Sequence, residues 1–255
     1  MENLTICITT FKHRLNQFKE LVDSIKLFHS NVQILVAING EHNEQLDEDY
    51  RQEILSFISM KNNVVPIMFT EFRSLSKLWN TLVIFSQTDY NLVINDDLIF
   101  NRSTLLDEVS NHIKSTNQKF FTINGTFRHF VISKTELDNL GYFDERLLAH
   151  GEEDGDMVWR HIEKYKIAIP SLNVSEIPNV GNYDKPTTNM SSHSGNKPRF
   201  NRTFCFSKYQ SDNQGIIGMF DSPQIQVIEN KQQYPYEMFF LKNKKNMSEG
   251  TTFEI

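Results

Sequence analysis

The chain has 255 residues, 39% of them hydrophobic and 23% charged, with a formal net charge of −6. That length and composition fit a globular α/β protein able to bury a sizeable core, and they exclude a disordered chain. The negative balance argues against a general nucleic-acid binder, which needs a basic surface to neutralise phosphates.

The first elements alternate. Leu4 to Thr10, "LTICITT", is short, apolar and β-branched, and reads as a buried strand. The next segment sets Leu15, Phe18, Leu21, Val22, Ile25 and Phe28 on one helical face. "VQILVAING" reads as a second strand ending in an Asn-Gly turn, and "EDYRQEILSFISM" as a helix that faces Ile54, Phe57 and Ile58 inward. "NVVPIMFTE" follows as a third strand, whose Pro66 predicts an edge position. "LSKLWNTLVIFSQ" is a third helix, and "YNLVIND" a fourth strand.

This alternation predicts a parallel-type sheet with helices on both faces, where ligands bind beyond the carboxyl ends of the strands. Beyond the fourth strand, a helix is expected over Thr104 to Lys114 with Ser103 as a cap, then strands in "KFFTING" and "HFVISK". A short helix "KTELDNLG" is closed by Gly141, and a longer helix spans Asp154 to Tyr165. From about Gly181 the chain turns polar and aperiodic, with "IIGMF" and "IQVIE" as late strand candidates and a tail expected to be mobile. The expected division is 1–180 as a core, in halves of about 1–100 and 101–180, and 181–255 as an extension packed on it.

Cys7 and Cys205 are too few and too far apart in sequence for a disulfide framework, and read as free thiols in a reducing compartment. The N-terminus "MENLTICITTF" shows no signal-peptide pattern, and no segment approaches the roughly 20 apolar residues of a membrane span. A cytoplasmic protein is expected, with peripheral membrane contact through the basic "FFLKNKKN" stretch as a further expectation.

Two acidic blocks carry the chemistry. Asn95, Asp96 and Asp97 end the fourth strand, where a hard divalent cation takes one or two carboxylates and completes its shell with phosphate and water. Glu153, Asp154 and Asp156 open a later helix in "HGEEDGDMVWR", with more acid than capping needs, so one carboxylate there is a general-base candidate. Taken singly, the first block is also an ordinary turn and the second an ordinary cap; their joint occurrence in this order favours a site.

Over residues 4 to 165 the sequence resembles the inverting family 2 glycosyltransferases of the GT-A fold. "ICITTFKHR", "LVAING", "SLSKLWNTLVIFSQTDYNLVINDDLIF" and "LGYFDERLLAHGEEDGDMVWR" carry the resemblance in order. It implies a Rossmann-like three-layer sandwich with a mixed, mainly parallel sheet and a loop-rich C-terminal part. It also implies transfer of a sugar from a nucleotide-sugar donor, a UDP-sugar foremost, to a hydroxyl of a glycan or lipid-linked acceptor, as in polysaccharide biosynthesis. Mn²⁺ or Mg²⁺ would be the cofactor.

By position in the family's motifs, Asp97 matches the metal-binding acid of the DxD motif, with Asn95 at its first place and Asp96 in its middle. Asp154 matches the catalytic base, with Glu153 beside it and Asp156 in support. Thr9, Thr10, Phe11 and Arg14 fall in the first nucleotide-binding loop and Asn39 at the end of the second strand, where many relatives carry an acid one place earlier and this chain has Ile38. Lys77 and Asn80 lie on the helix that borders the nucleotide. In "SSHSGNKPRFNRTF", His193 is a further metal-ligand candidate, and Lys197, Arg199 and Arg202 read as a basic lid for the diphosphate. His150 and Gly125, with Phe127, Arg128 and His129, are candidates for the acceptor side, whereas Trp159 reads as core.

Two other classes stay open at this point. A sugar nucleotidyltransferase would need a Gly-rich phosphate loop, and "ITTFKHR" has no glycine. A non-catalytic nucleotide-sugar-binding module would not need both acidic blocks.

Overall fold

A computed structural model describes residues 3–40, 47–100, 104–147, 150–174, 201–202 and 204–205. Among them, seven strands form one sheet in the order β3-β2-β1-β4-β6-β5-β7. β1 is Leu4–Thr10, β2 Gln33–Ile38, β3 Val64–Met68 and β4 Tyr90–Asn95. These four run parallel, with β1 in the middle, paired to β2 on one side and to β4 on the other. β5 (Phe120–Ile123) and β6 (Thr126–Ser133) form a hairpin, and β6 joins β4 antiparallel. Asn124 and Gly125 both take positive φ, 54° and 69°, as a two-residue hairpin turn requires. β7 (Ser171–Leu172) pairs parallel to β5 at the far edge. Pro66 sits in β3, the edge strand at the other end, where a missing N–H costs no ladder bond.

The helices form where the apolar spacing demands them. α1 (Leu15–Phe28) buries Phe18, Leu21, Val22 and Ile25, one stripe at helical period. Phe28, expected on that stripe, ends the helix and remains 37% exposed. α2 (Glu48–Ser59) is capped by Asp47, whose side chain accepts from Tyr50 N at 2.9 Å. α4 (Leu105–Thr116) stops at Asn117 in the left-handed conformation, a C-terminal cap that asparagine tolerates.

Side chains of α1, α2 and α4 share one core with Ile6, Ile8, Ile34, Val36, Leu92, Ile94 and Val131 of the sheet. Strand alternation sends Cys7, Leu35, Val93 and Phe130 to the other face, where they are also buried. There Trp79 of α3 (Leu75–Phe85) packs edge-on against Phe130 at 5.2 Å between ring centroids. Both faces of a mixed, mainly parallel sheet are thus covered by helices, as the sequence predicts.

The chain divides into two compact units, one of Met1–Phe72, Leu78–Asn139 and Pro170–Lys185, the other of Arg73–Lys77, Leu140–Ile169 and Pro186–Ile255. The first holds the sheet. α5 (Lys134–Leu140) belongs to the first unit but for its last residue, Leu140, and in the second unit α6 (Glu153–Tyr165) buries Met157, Trp159 and Ile162. Trp159 is core, as expected. Cys7 and Cys205 are both buried thiols outside any disulfide. No helix among the described residues is long and apolar enough to cross a membrane. The expected Ser103 cap, the late strands "IIGMF" and "IQVIE" and the tail lie outside the described residues.

Candidate functional site

The first acidic block lies at the point where the sheet's connections change direction. From β1 the chain goes to β2 and β3 on one side, and then returns to place β4 on the other. The carboxyl ends of β1 and β4 therefore diverge into their following loops side by side, and such a switch point opens a crevice. The register sets Thr9 between Ala37 and Asn95. Thr10 is buried, and its carbonyl accepts from Asn39 N at 2.9 Å, which fixes the end of β2 to the end of β1. Asn39 is itself buried. Gly40 follows with no room for a side chain, since a Cβ there would lie 2.5 Å from the carbonyl carbon of Glu71.

Beyond β1, Phe11 is extended, and a short 3-10 turn, Lys12–Arg14, reverses the chain, with Arg14 N donating to Phe11 O at 2.9 Å. This turn brings Arg14 to the acids beyond β4. Arg14 Nη1 donates to Asp97 Oδ2 at 3.2 Å and lies 3.9 Å from Asp96 Oδ1. Asp96 and Asp97 are both buried, at 7% and 4% exposure. Burial pushes the Asp96 carboxyl up to about 7, against the opposing pull of the Arg14 guanidinium. Asp96 Oδ2 has no hydrogen-bond partner among the described residues.

Two buried, adjacent carboxylates facing one guanidinium, with an oxygen still unsatisfied, fit a divalent cation. No group of three or more acidic, His or Cys side chains stands ready to hold a metal among the described residues. The donor set suits a cation that completes its shell from phosphates and water, not one caged by protein.

Asn80 lies on α3, buried, in the same unit. Gly125 occupies the β5–β6 turn, where its N–H donates to Ser171 Oγ at 2.7 Å. Phe127 packs on Trp79, Phe120 and Phe130, in an aromatic cluster.

The second acidic block forms in the other unit. Gly151 and Glu152 both have positive φ, 105° and 71°, so the chain turns through two left-handed residues before α6 begins. Glu152 takes the cap position but supplies no side-chain cap. Asp154 points outward, exposed, and its Oδ1 accepts from Gly155 N at 2.8 Å. Glu153 and Asp156 turn inward, at 6% and 0% exposure. Burial, reinforced by the charge of Asp154, pushes the Glu153 carboxyl up to about 8. Three acids in the first turn also meet the positive end of the helix dipole.

Several pairings in this unit escape a sequence reading. Arg160 Nε and Nη2 close on Asp156 Oδ2 at 3.1 and 2.8 Å, and its Nη1 donates to the carbonyls of Leu140 and Gly141. Asn201, fully buried, donates to the carbonyls of His150 and Gly151 at 3.4 and 2.7 Å. Arg202, expected in a basic lid, pairs with Glu152 at 3.2 Å. Lys77, expected at the nucleotide, pairs with Glu145 at 3.0 Å. Asp144 and Arg146 form a buried forked pair. Only Asp156 and Arg160 announce themselves in sequence, by their four-residue spacing. His193, Lys197 and Arg199 lie outside the described residues.

The family model "Glycosyltransferase like family 2" matches residues 11–216 of this chain. No match was found among curated proteins. Three solved structures are similar in fold. One is S. aureus TarS 1-349, with a TM-score of 0.52 and 14% identity over 68% of this chain and 58% of that one. Another is the mannosyltransferase PcManGT from Pyrobaculum calidifontis, in complex with GDP-Man and Mn2+, with a TM-score of 0.57 and 10% identity over 83% of this chain and 65% of that one. The third is glucosyl-3-phosphoglycerate synthase from Mycobacterium tuberculosis, in complex with Mn2+, UDP and glucosyl-3-phosphoglycerate, with a TM-score of 0.57 and 11% identity. There 84% of this chain covers 82% of the other. The chain thus spans less than two thirds of the TarS and mannosyltransferase chains it resembles.

Proposed function

The chain belongs to the glycosyltransferase-like family 2, and we propose that it transfers a sugar from a nucleotide-sugar donor, a UDP-sugar, to a hydroxyl of a glycan or lipid-linked acceptor. The observation that carries this reading is the buried Asp96–Asp97 pair beyond β4, at the switch point of the sheet. An α/β protein has no structural need for two adjacent buried acids there, and their desolvation costs stability unless a ligand repays it. The mannosyltransferase and the synthase were both solved with Mn2+ and a nucleotide or nucleotide-sugar, which supports the same class of ligand here.

In this reading Asp97 holds Mn²⁺ or Mg²⁺, with Asp96 and Asn95 in support. When bound, the cation would neutralise charge building on the departing diphosphate. Thr9, Thr10, Phe11 and Arg14 line the donor's place at the end of β1, and Asn39 offers an amide to the base edge. Lys77, Asn80, Lys197 and Arg199 serve the same donor, and His193 the metal.

Asp154 takes the proton from the acceptor hydroxyl as its oxygen attacks the anomeric carbon, giving inversion in one displacement. Its exposure supports that role, because a base must reach its substrate. Glu153, Asp156, His150 and Gly125 support the acceptor side, Glu153 and Asp156 by holding the start of α6. The test is donor turnover: UDP-, GDP- and dTDP-sugars are offered with Mn²⁺, and hydrolysis or transfer from none of them would sink the reading.

A further inference from the structure

The same nitrogen of Arg14 faces both acids of the proposed metal site. It is 3.2 Å from Asp97 Oδ2 and 3.9 Å from Asp96 Oδ1. The Arg14 side chain is only 17% exposed, and the side chains of Asp96 and Asp97 facing it 9% and 4%. A cation therefore already stands against Asp97, in surroundings where charge is poorly screened. A divalent ion bound through Asp97 Oδ2 would share that oxygen with the guanidinium. Like charges a few ångström apart in a partly desolvated place repel strongly, because little solvent screens them. The arrangement does not hold both cations comfortably. A diphosphate changes this, because its oxygens match the guanidinium fork and give Arg14 another anion.

We propose that Arg14 is the resting counter-cation of the Asp96–Asp97 pair and competes with the divalent metal for Asp97, so that metal and donor diphosphate bind synergistically. The proposal rests on the reading of Asp97 as the metal-binding acid. Without nucleotide, Arg14 keeps the metal weakly bound. With nucleotide, Arg14 turns to the diphosphate, and Asp97 is released to the metal. Such coupling is reciprocal, so the metal raises nucleotide affinity by the same factor.

Free Mn²⁺, followed by electron paramagnetic resonance in titrations of the intact protein with and without UDP, reads this directly. Wild type is expected to bind Mn²⁺ weakly alone and more tightly with UDP. In Arg14→Met the affinity for Mn²⁺ alone should rise about tenfold, with the strengthening by UDP reduced by a similar factor. Arg14→Lys, which keeps a charge but loses the fork, should fall between them. Arg14→Gln repeats the neutral case with a polar side chain if the Met variant does not fold. Mn²⁺ affinity of the neutral variants equal to or weaker than that of wild type overturns the competition and leaves the Asp97 assignment intact. Unchanged Mn²⁺ binding in Asp97→Asn overturns the metal reading itself.

Discussion

Arg160 holds Asp156 from one turn further along α6, with Nε and Nη2 at 3.1 and 2.8 Å from the same carboxylate oxygen. The third nitrogen of the guanidinium donates to the carbonyls of Leu140 and Gly141. One side chain thus ties the first turn of the acid-bearing helix to the end of α5. Asp156 is fully buried, so its work is to anchor this helix. Replacing Arg160 by Ala would remove both of its hydrogen bonds to a buried carboxylate and those to two carbonyls. A loss of about 3 kcal/mol is expected. Thermal melts of the intact chain would check it, with Arg160→Lys retaining part of the stability. An unchanged melting temperature would show that the fork contributes nothing.

Gly40 is the second anchor. Its Cα lies so close to the Glu71 backbone that a Cβ would approach three atoms of it to 2.7 Å or less. Gly40→Ala should destabilise by about 1–3 kcal/mol, since backbone cannot yield as a flexible side chain can. The strain falls next to Asn39, so UDP affinity should weaken as well. A melt and a UDP titration read the two effects separately.

Stability should depend on pH through Glu153. Burial and the charge of Asp154 push its carboxyl from the ordinary 4.5 up to about 8. Between those values the folded chain binds more protons than the unfolded one, so unfolding becomes easier as pH rises. The contribution is fully present below the unfolded value and lost as pH climbs towards the folded one. Glu153→Gln removes the share of the dependence that Glu153 contributes and leaves that of Asp96. Melting temperatures at pH 5 and pH 8 should show the variant gaining on wild type at the higher pH. A constant difference across that range would contradict the assignment.

How much of this was legible in the sequence follows from the physics of each feature. β1 to β4 and α1 to α3 announce themselves because β-branched runs and apolar stripes at helical period depend only on local order. The strand-end position of Asp96 and Asp97 follows from the same alternation. The insertion of β6 between β4 and β5 does not, since antiparallel pairing is a long-range choice that periodicity does not encode. The resemblance sets Asp154 apart as the base, but periodicity does not tell that Glu153 and Asp156 are buried and Asp154 exposed. Which of three nearby acids faces solvent depends on where the helix begins, and that is set by the left-handed pair Gly151 and Glu152. Asn201 escaped for a related reason: its partners are backbone carbonyls fifty residues away, which leave no trace in residue type.

The central claim is tested most directly by the initial rate of Mn²⁺-supported turnover of a UDP-sugar by the wild-type chain, by Asp97→Asn and by Asp154→Asn. The account predicts turnover that chelation of the metal abolishes, a loss of about a hundredfold or more in Asp154→Asn, and a loss in Asp97→Asn that excess Mn²⁺ does not fully restore. Turnover by Asp154→Asn and Asp97→Asn at the wild-type rate would contradict it.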